Sequence, residues 1–557
     1  MDTKLLAIIS ICSCLNFAIA DPIIQLPNGK IRGRQGETSQ GNTYYGFEKV
    51  PYAAPPIGKL RFKAPQPPET WDDIRDTIGR DVSCYQQSAN GDFESEDCLF
   101  ANIYTTVLPS EDNTTTLPVM FFMHGGGYVG GSNMWEQPEN FLDHGVLVVV
   151  INYRLGPFGF LSTQDEVIPG NNGLKDQQRA IQWTYENIAL FGGDPNMITI
   201  FGQSAGSSSV TYQLLNRGIE GMIRGGICES GSYLSPWSYQ RRAREIAFAT
   251  AAILNDTFLT NNKSENLLEF LLTVSAKELD DASDKYHDIE TPADLELSQG
   301  FYWAPVVEVK NEDAFMTRKM YGLLKAGNFI NVPILMGINS EEMLFNNWDH
   351  DKMKETMAIY DEHPEWLVPK DMLITDEDKL LEMGLAIKKL YTGGEPLADH
   401  LGDGIRFYSD NSFTRSVIKY AEIASQFSPV YFYEFSFDGQ IGGYDINYEG
   451  AEHVAHNEEL NYIFGDSDYH EYPETDQLTQ QRMIKIWTDF AKYQNPTPEP
   501  TELLQNVTWP LVNTEGGDFL YVDINENLEI KNHPKEETYN GWNVLYDSLG
   551  YDDFDTY

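Results

Sequence analysis

Positive charge is scarce in this sequence: 39 Lys and Arg stand against 84 Asp and Glu, a formal net charge of −45. A surface of that sign repels phosphate backbones and anionic headgroups, which excludes nucleic acid and acidic membranes as partners. Long apolar runs are lacking too. Beyond the first twenty residues no stretch reaches the ~18 consecutive apolar residues that a membrane span needs. The glycine-rich stretch "MHGGGYVGGS", residues 123–132, is not followed by Lys-Ser/Thr, so it is not a phosphate-cradling P-loop, and no His-Glu-x-x-His zinc pattern occurs. No metal or cofactor is therefore expected. No repeat, low-complexity tract or Gly/Ser linker divides the chain, so residues 21–557 are expected to form a single domain.

Cysteine is also sparse, with five in 557 residues. Cys12 and Cys14 lie in an N-terminal stretch, residues 1–20, that reads as a cleaved secretory signal. Lys4 opens it, Leu5 to Ile19 is nearly all apolar, and Ala18 and Ala20 form a small-residue cleavage site. The mature protein is expected outside the cell, where Cys84 and Cys98 are expected to pair and Cys228 to stay a buried thiol. Sequons at Asn113, Asn255, Asn262 and Asn506 fit a glycosylated, secreted surface. The C-terminal end, from about residue 535, is rich in Tyr and carries Asp547, Asp552, Asp553 and Asp555. It is expected to be a solvated tail.

Short apolar runs alternate with helical patterns. "LPVMFFM" and "GVLVVVINYRLG" read as buried strands, "GLKDQQRAIQWTYENIALFGG" as an amphipathic helix, and "VPILMGIN" and "SPVYFYEFSF" as later strands. Such alternation predicts an α/β fold with a mostly parallel, doubly wound sheet and helices on both faces. Helical stretches near 240–330 and 350–425 are expected as insertions that roof a site.

"FGQSAGSSSV", residues 201–210, sets Ser204 between Gly202 and Gly206, with a predicted strand before it and a helix after it. Glycines on either side permit a sharp turn with the serine at its tip, the arrangement of a nucleophile elbow. A serine nucleophile creates an oxyanion. The backbone N–H groups of Gly126 and Gly127, and that of Ala205 directly after the serine, are the expected donors. A base and an acid must complete the set. "GAEHVAHNEELNYIFG" offers His453 and His456, and "MGINSEEMLF" offers Glu341 and Glu342, each after a predicted strand. The residues alone do not choose between them.

At this point the chain resembles the carboxylesterase/cholinesterase (type B) family of α/β-hydrolases. The resemblance rests on "VPYAAPPIGKLRFKAPQP", "EDCLFANIY", "HGGGYVGGS", "INYRLGPFGFLS", "NNGLKDQQRAIQW", "NIALFGGDPNMITIFGQSAG" and "IWTDFAKYQNP", and it covers nearly the whole mature chain. It implies the α/β-hydrolase fold and an acyl-enzyme mechanism without a cofactor. The family histidine is followed by an acid at the third residue and by an aromatic-glycine pair. Glu459, Phe464 and Gly465 supply these for His456. The family acid is the second of a pair, which implies Glu342, although the glycine usual after it is here Met343. Ser204, Glu342 and His456 are thus implied as nucleophile, orienting carboxylate and general base. Ser230 matches a second serine of the family, implied to hydrogen-bond this network.

Two departures bear on substrate. Gln203 stands where cholinesterases often carry Glu, and the Cys84–Cys98 loop contains no tryptophan to hold a choline cation. A neutral, largely apolar ester is expected, and "GQSAG" with "LRF" looks like the insect juvenile hormone esterase and antennal odorant- or pheromone-degrading branches. A monomer is expected. The competing reading is a non-catalytic, cholinesterase-like adhesion or matrix protein, which the acidity favours and the intact set of reactive residues opposes.

Overall fold

The computed structural model describes residues 21–86, 93–111, 113–290, 300–346, 350–465, 471–513 and 517–557. The expected leader, residues 1–20, lies outside them, as do parts of the Cys84–Cys98 loop.

One sheet of eleven strands organises the chain. In chain order they are β1 (Arg34–Glu37), β2 (Thr43–Pro51), β3 (Phe100–Thr105), β4 (Leu117–Met123), β5 (Leu147–Ile151), β6 (Gly193–Gln203), β7 (Gly225–Glu229), β8 (Ile334–Asn339), β9 (Val430–Phe435), β10 (Leu520–Ile524) and β11 (Leu528–Asn532). Across the sheet the order is β11-β10-β9-β8-β7-β6-β4-β5-β3-β2-β1. The seven strands from β10 to β5 are mutually parallel, and the strands at both edges are antiparallel. This is the α/β-hydrolase architecture.

Alternation along each strand explains why both faces are buried. Phe121, Met123, Val149, Ile151 and Ile200 face one core, where Leu174 and Ile181 of α1 (Asn172–Asn187) and Val210 of α2 (Ala205–Leu215) cover them. Met120, Phe122, Val148, Val150 and Phe201 face the other, against Trp487 and Phe490 of a long helix, Glu474–Tyr493. Each central strand thus reads as an unbroken apolar run. The stretches expected as insertions are largely helical, at Ala243–Leu254, Ser264–Leu271, Ala276–Glu290, His350–Glu362, Glu377–Thr392 and Arg415–Ala424 among others. Among the described residues no helix is long and apolar enough to cross a membrane.

Cys84 and Cys98 form a disulfide with Cα atoms 4.9 Å apart. Cys228 is a buried free thiol on β7, and burial pushes its ionisation well up. The C-terminal end differs from the solvated tail expected of it. Asp552 and Asp553 are exposed, but Phe554 through Tyr557 are buried. The reason is aromatic: the Tyr557 ring stacks on Tyr546 at 4.2 Å, and Arg241 holds Asp555 at 3.1 Å. Apolar ring area outweighs the acidity of the segment around it.

Candidate active site

The C-terminal ends of the parallel strands carry every candidate residue, at the edge where open α/β sheets bind ligands. Ser204 follows β6 directly and caps α2, with φ 58° and ψ −122°. A non-glycine residue in that conformation is strained and persists only when its surroundings hold it. Gly206 shows why the turn can close. A Cβ there would lie 2.0 Å from the carbonyl oxygen of Met123, the last residue of β4. Ser204 N–H donates to Glu229 O at 2.8 Å, tying the turn to the end of β7.

The glycine loop after β4 lies against this turn. Gly126 has φ 95°, and a Cβ on it would meet Gly130 O at 2.3 Å. Its carbonyl accepts from the N–H groups of Val129 and Gly130, so the loop is a closed turn. Gly126, Gly127 and Ser204 line one cavity of about 610 Å³, and Ala205 is the first residue of α2 behind it.

His456 closes the cavity from the loop after β9. Its Nδ1 lies 2.6 Å from Glu342 Oε2, and its backbone N–H donates to Glu342 O at 3.0 Å. Glu342, at the loop after β8, is fully buried, and its other oxygen accepts from Asn339 N–H at 2.8 Å. A carboxylate at Nδ1 places the proton there and leaves Nε2 as the basic atom. Nε2 lies 3.1 Å from the side-chain nitrogen of Gln203. The Phe413 ring packs against the imidazole, centroids 4.3 Å apart.

Of the two sequence pairs, the structure brings together His456 and Glu342. His453 is exposed, while Glu341 faces Arg406 at 3.4 Å and accepts from Glu452 N–H. Ser230 sits beside the site with φ 55°, but its hydroxyl has no hydrogen-bond partner among the described residues. The hydrogen bond expected of it is not formed; its N–H is held on Gly337 O at 3.0 Å and its side chain is fully buried.

Three features were not visible in the sequence. Asn339 ties the acid to the base: its amide donates to Ala455 O at 2.7 Å and to Glu459. Phe301 and Phe413, from the helical insertions, form an aromatic wall of the cavity, both packed on Trp237 at about 5.4 and 5.5 Å. Glu136 lines the cavity as well. The apolar character of Phe301 and Phe413 is a signal only for burial; which cavity they face depends on contacts far along the chain. Among the described residues no cluster of His, Cys, Asp and Glu is arranged to hold a metal ion.

Comparison with known proteins places this geometry. A model of the carboxylesterase family matches residues 20–542. A carboxylic ester hydrolase of Bombus ignitus is 32% identical over 544 residues, covering 94% of each chain. A juvenile hormone esterase of Tribolium castaneum is 31% identical over 537 residues, covering 90% of this chain and 88% of the other. The crystal structure of juvenile hormone esterase from Manduca sexta, with OTFP covalently attached, superposes with a TM-score of 0.81 at 26% identity, covering 95% of this chain and all of that one.

Proposed function

For this chain, which belongs to the carboxylesterase family, we propose hydrolysis of neutral, largely apolar carboxylic esters through a covalent acyl-enzyme on Ser204. The observation that carries the reading is the 2.6 Å contact of His456 with Glu342, in a cavity that also holds Ser204 and the glycine loop.

The chemistry follows from the positions. Ser204 Oγ attacks the ester carbonyl carbon while its proton passes to His456 Nε2. Charge builds on the carbonyl oxygen, and the N–H groups of Gly126, Gly127 and Ala205 stabilise it, each by roughly 3 kcal/mol. The tetrahedral adduct collapses. The alcohol leaves with the proton from Nε2, and the acyl group stays on Ser204. Water then attacks the acyl carbon, gives its proton to His456, and the acid departs as Oγ recovers a proton. Glu342 holds the imidazole in the tautomer that each step requires and stabilises the imidazolium between them. The aromatic wall of Phe301 and Phe413 suits an apolar substituent, and Gln203 leaves no fixed negative charge beside the carbonyl.

The same reading places the enzyme outside the cell, with the leader removed and the Cys84–Cys98 bridge intact. Asn262 and Asn506 are exposed and open to glycans, whereas Asn113 and Asn255 are half-buried. Asn255 Oδ1 accepts from the Thr257 N–H and hydroxyl, a contact that leaves Nδ2, the atom a glycan is joined to, outside the cap.

The test is steady-state hydrolysis of 4-nitrophenyl esters from acetate to octanoate by the wild type and by Ser204→Ala. Sustained turnover that falls by at least about a thousandfold in the variant supports the acyl-enzyme. Equal rates in both proteins would overturn it and favour a cholinesterase-like binding protein.

A further inference from the structure

The lining of the cavity around Ser204 is mixed. Phe301 and Phe413 are apolar. Glu136 also lines it, is 9% exposed, and its Oε2 finds no hydrogen-bond partner among the described residues. A buried carboxyl with a free oxygen costs free energy unless something satisfies it. The neighbourhood does not: Arg80, the cation whose charge acts on it, reaches only the Glu136 backbone carbonyl, at 3.4 Å. A second orphan lines the same cavity. His124 Nδ1 is 2.9 Å from Gly125 O and so carries the proton, which leaves Nε2 a buried acceptor without a partner. Glu136 is thus a cavity-lining carboxyl whose hydrogen bonds the protein does not complete, a place for a polar group of the ligand.

We propose that Glu136 is a specificity-determining residue that takes a hydroxyl group of the ester, distant from the scissile bond, while the apolar remainder lies on the Phe301 and Phe413 wall. Charge favours a hydroxyl over an ammonium. Burial pushes the Glu136 carboxyl up to about 8 and the His124 imidazole down to about 4, so at neutral pH both groups are mostly uncharged. A neutral carboxyl gives one hydrogen bond and accepts another, and a hydroxyl answers both. Sites built to bind a substrate hydroxyl discriminate strongly against analogues without it, because their own polar groups are then left unpaired.

The inference rests on the hydrolysis proposed above and is tested by a ratio that does not depend on overall rate. One series compares 4-nitrophenyl hexanoate with its 6-hydroxy and 6-ammonio analogues. The other compares butyl butyrate with 4-hydroxybutyl butyrate. The wild type is expected to favour the hydroxylated ester in kcat/KM by roughly ten- to a hundredfold in one series. Glu136→Gln, which still gives and accepts a hydrogen bond, should retain most of that preference, and Glu136→Leu should bring the ratio near one. Absence of a preference in both series, a preference that survives Glu136→Leu, or a higher kcat/KM for the ammonio ester would each overturn the assignment. Ser204→Ala serves as the blank. Turnover that persists in it would count against the acyl-enzyme, separately from the role of Glu136.

Discussion

The side-chain nitrogen of Gln203 lies 3.1 Å from His456 Nε2, although 253 residues separate the two in the chain. The residue before the nucleophile therefore touches the basic nitrogen itself. An amide donor favours the neutral imidazole. Turned over, its oxygen can accept from the imidazolium, so glutamine accommodates both protonation states without adding charge.

Replacing Gln203 with Glu would end that neutrality. A carboxylate beside the imidazole favours its cation. Because the base must be neutral to accept the serine proton, the acid limb of the pH profile of kcat/KM should move to higher pH. Esters with a cationic alcohol should gain relative to neutral ones. A pH profile of the Gln203→Glu variant that overlays the wild type would show that the side chain does not act on His456.

How much of this was legible in the sequence depends on distance along the chain. Ser204 was, because strand, turn and helix are consecutive and its glycines are forced by the approach of Met123. The choice of Glu342 over Glu341 was not legible from the residues themselves. Neighbouring side chains after a strand point in different directions, and only the family pattern distinguished them. Gln203 shows its missing charge in the sequence but not its contact, since nothing local brings residue 456 to it. Glu136 is not legible, because a glutamate in an acidic chain reads as surface. The buried end of the tail is obscured by the same acidity, although Phe554 and Tyr557 carry the opposite signal.

Stability should fall as pH rises through neutrality. Burial, with nearby carboxylates, pushes Glu459 up to about 7 and Glu458 up to about 8. The folded state therefore holds protons that the unfolded chain, with ordinary glutamates, releases. This contribution is fully present below the unfolded pKa, near 4.3, and is lost as pH rises through the folded values. Melting temperatures measured from pH 5 to 9 should decline across that range, and the Glu458→Gln, Glu459→Gln double variant should decline less. Parallel slopes for the two proteins would refute the assignment.

Removing the disulfide should affect both stability and substrate binding. Cross-linking a loop of 14 residues is worth about 3 kcal/mol in the chain-entropy account, so Cys84→Ser with Cys98→Ser should lower the urea midpoint accordingly. The loop also reaches the site. The Gln86 amide donates to Gly131 O at 2.7 Å, and its oxygen accepts from Gly131 N–H at 2.8 Å. Loosening the loop should thus raise KM several-fold. An unchanged KM would mean that Gln86 stays in place without the bridge.

The chain end makes a different kind of demand. Arg415 is fully buried beneath three rings, with its guanidinium 4.8 Å from the Trp542 centroid, 5.3 Å from Tyr546 and 5.9 Å from Tyr557. A buried cation needs such enclosure together with its partners, here Asp371 at 3.7 Å and the Tyr546 hydroxyl at 2.7 Å. Tyr557 completes the enclosure, and its N–H donates to Leu234 O at 2.8 Å. Leu234 lies three residues before Trp237, on which the cavity wall of Phe301 and Phe413 rests. Deleting residues 554–557 should therefore cost roughly 3–5 kcal/mol, the range for losing a large buried ring, and should raise KM for bulky apolar esters more than for acetate. Asp552→Asn makes a fair comparison, because Asp552 pairs with Lys325 on the exposed surface, where solvent screens the pair. If the truncated and Asp552→Asn proteins melt together, the aromatic enclosure contributes little and the tail is held by its surface charges.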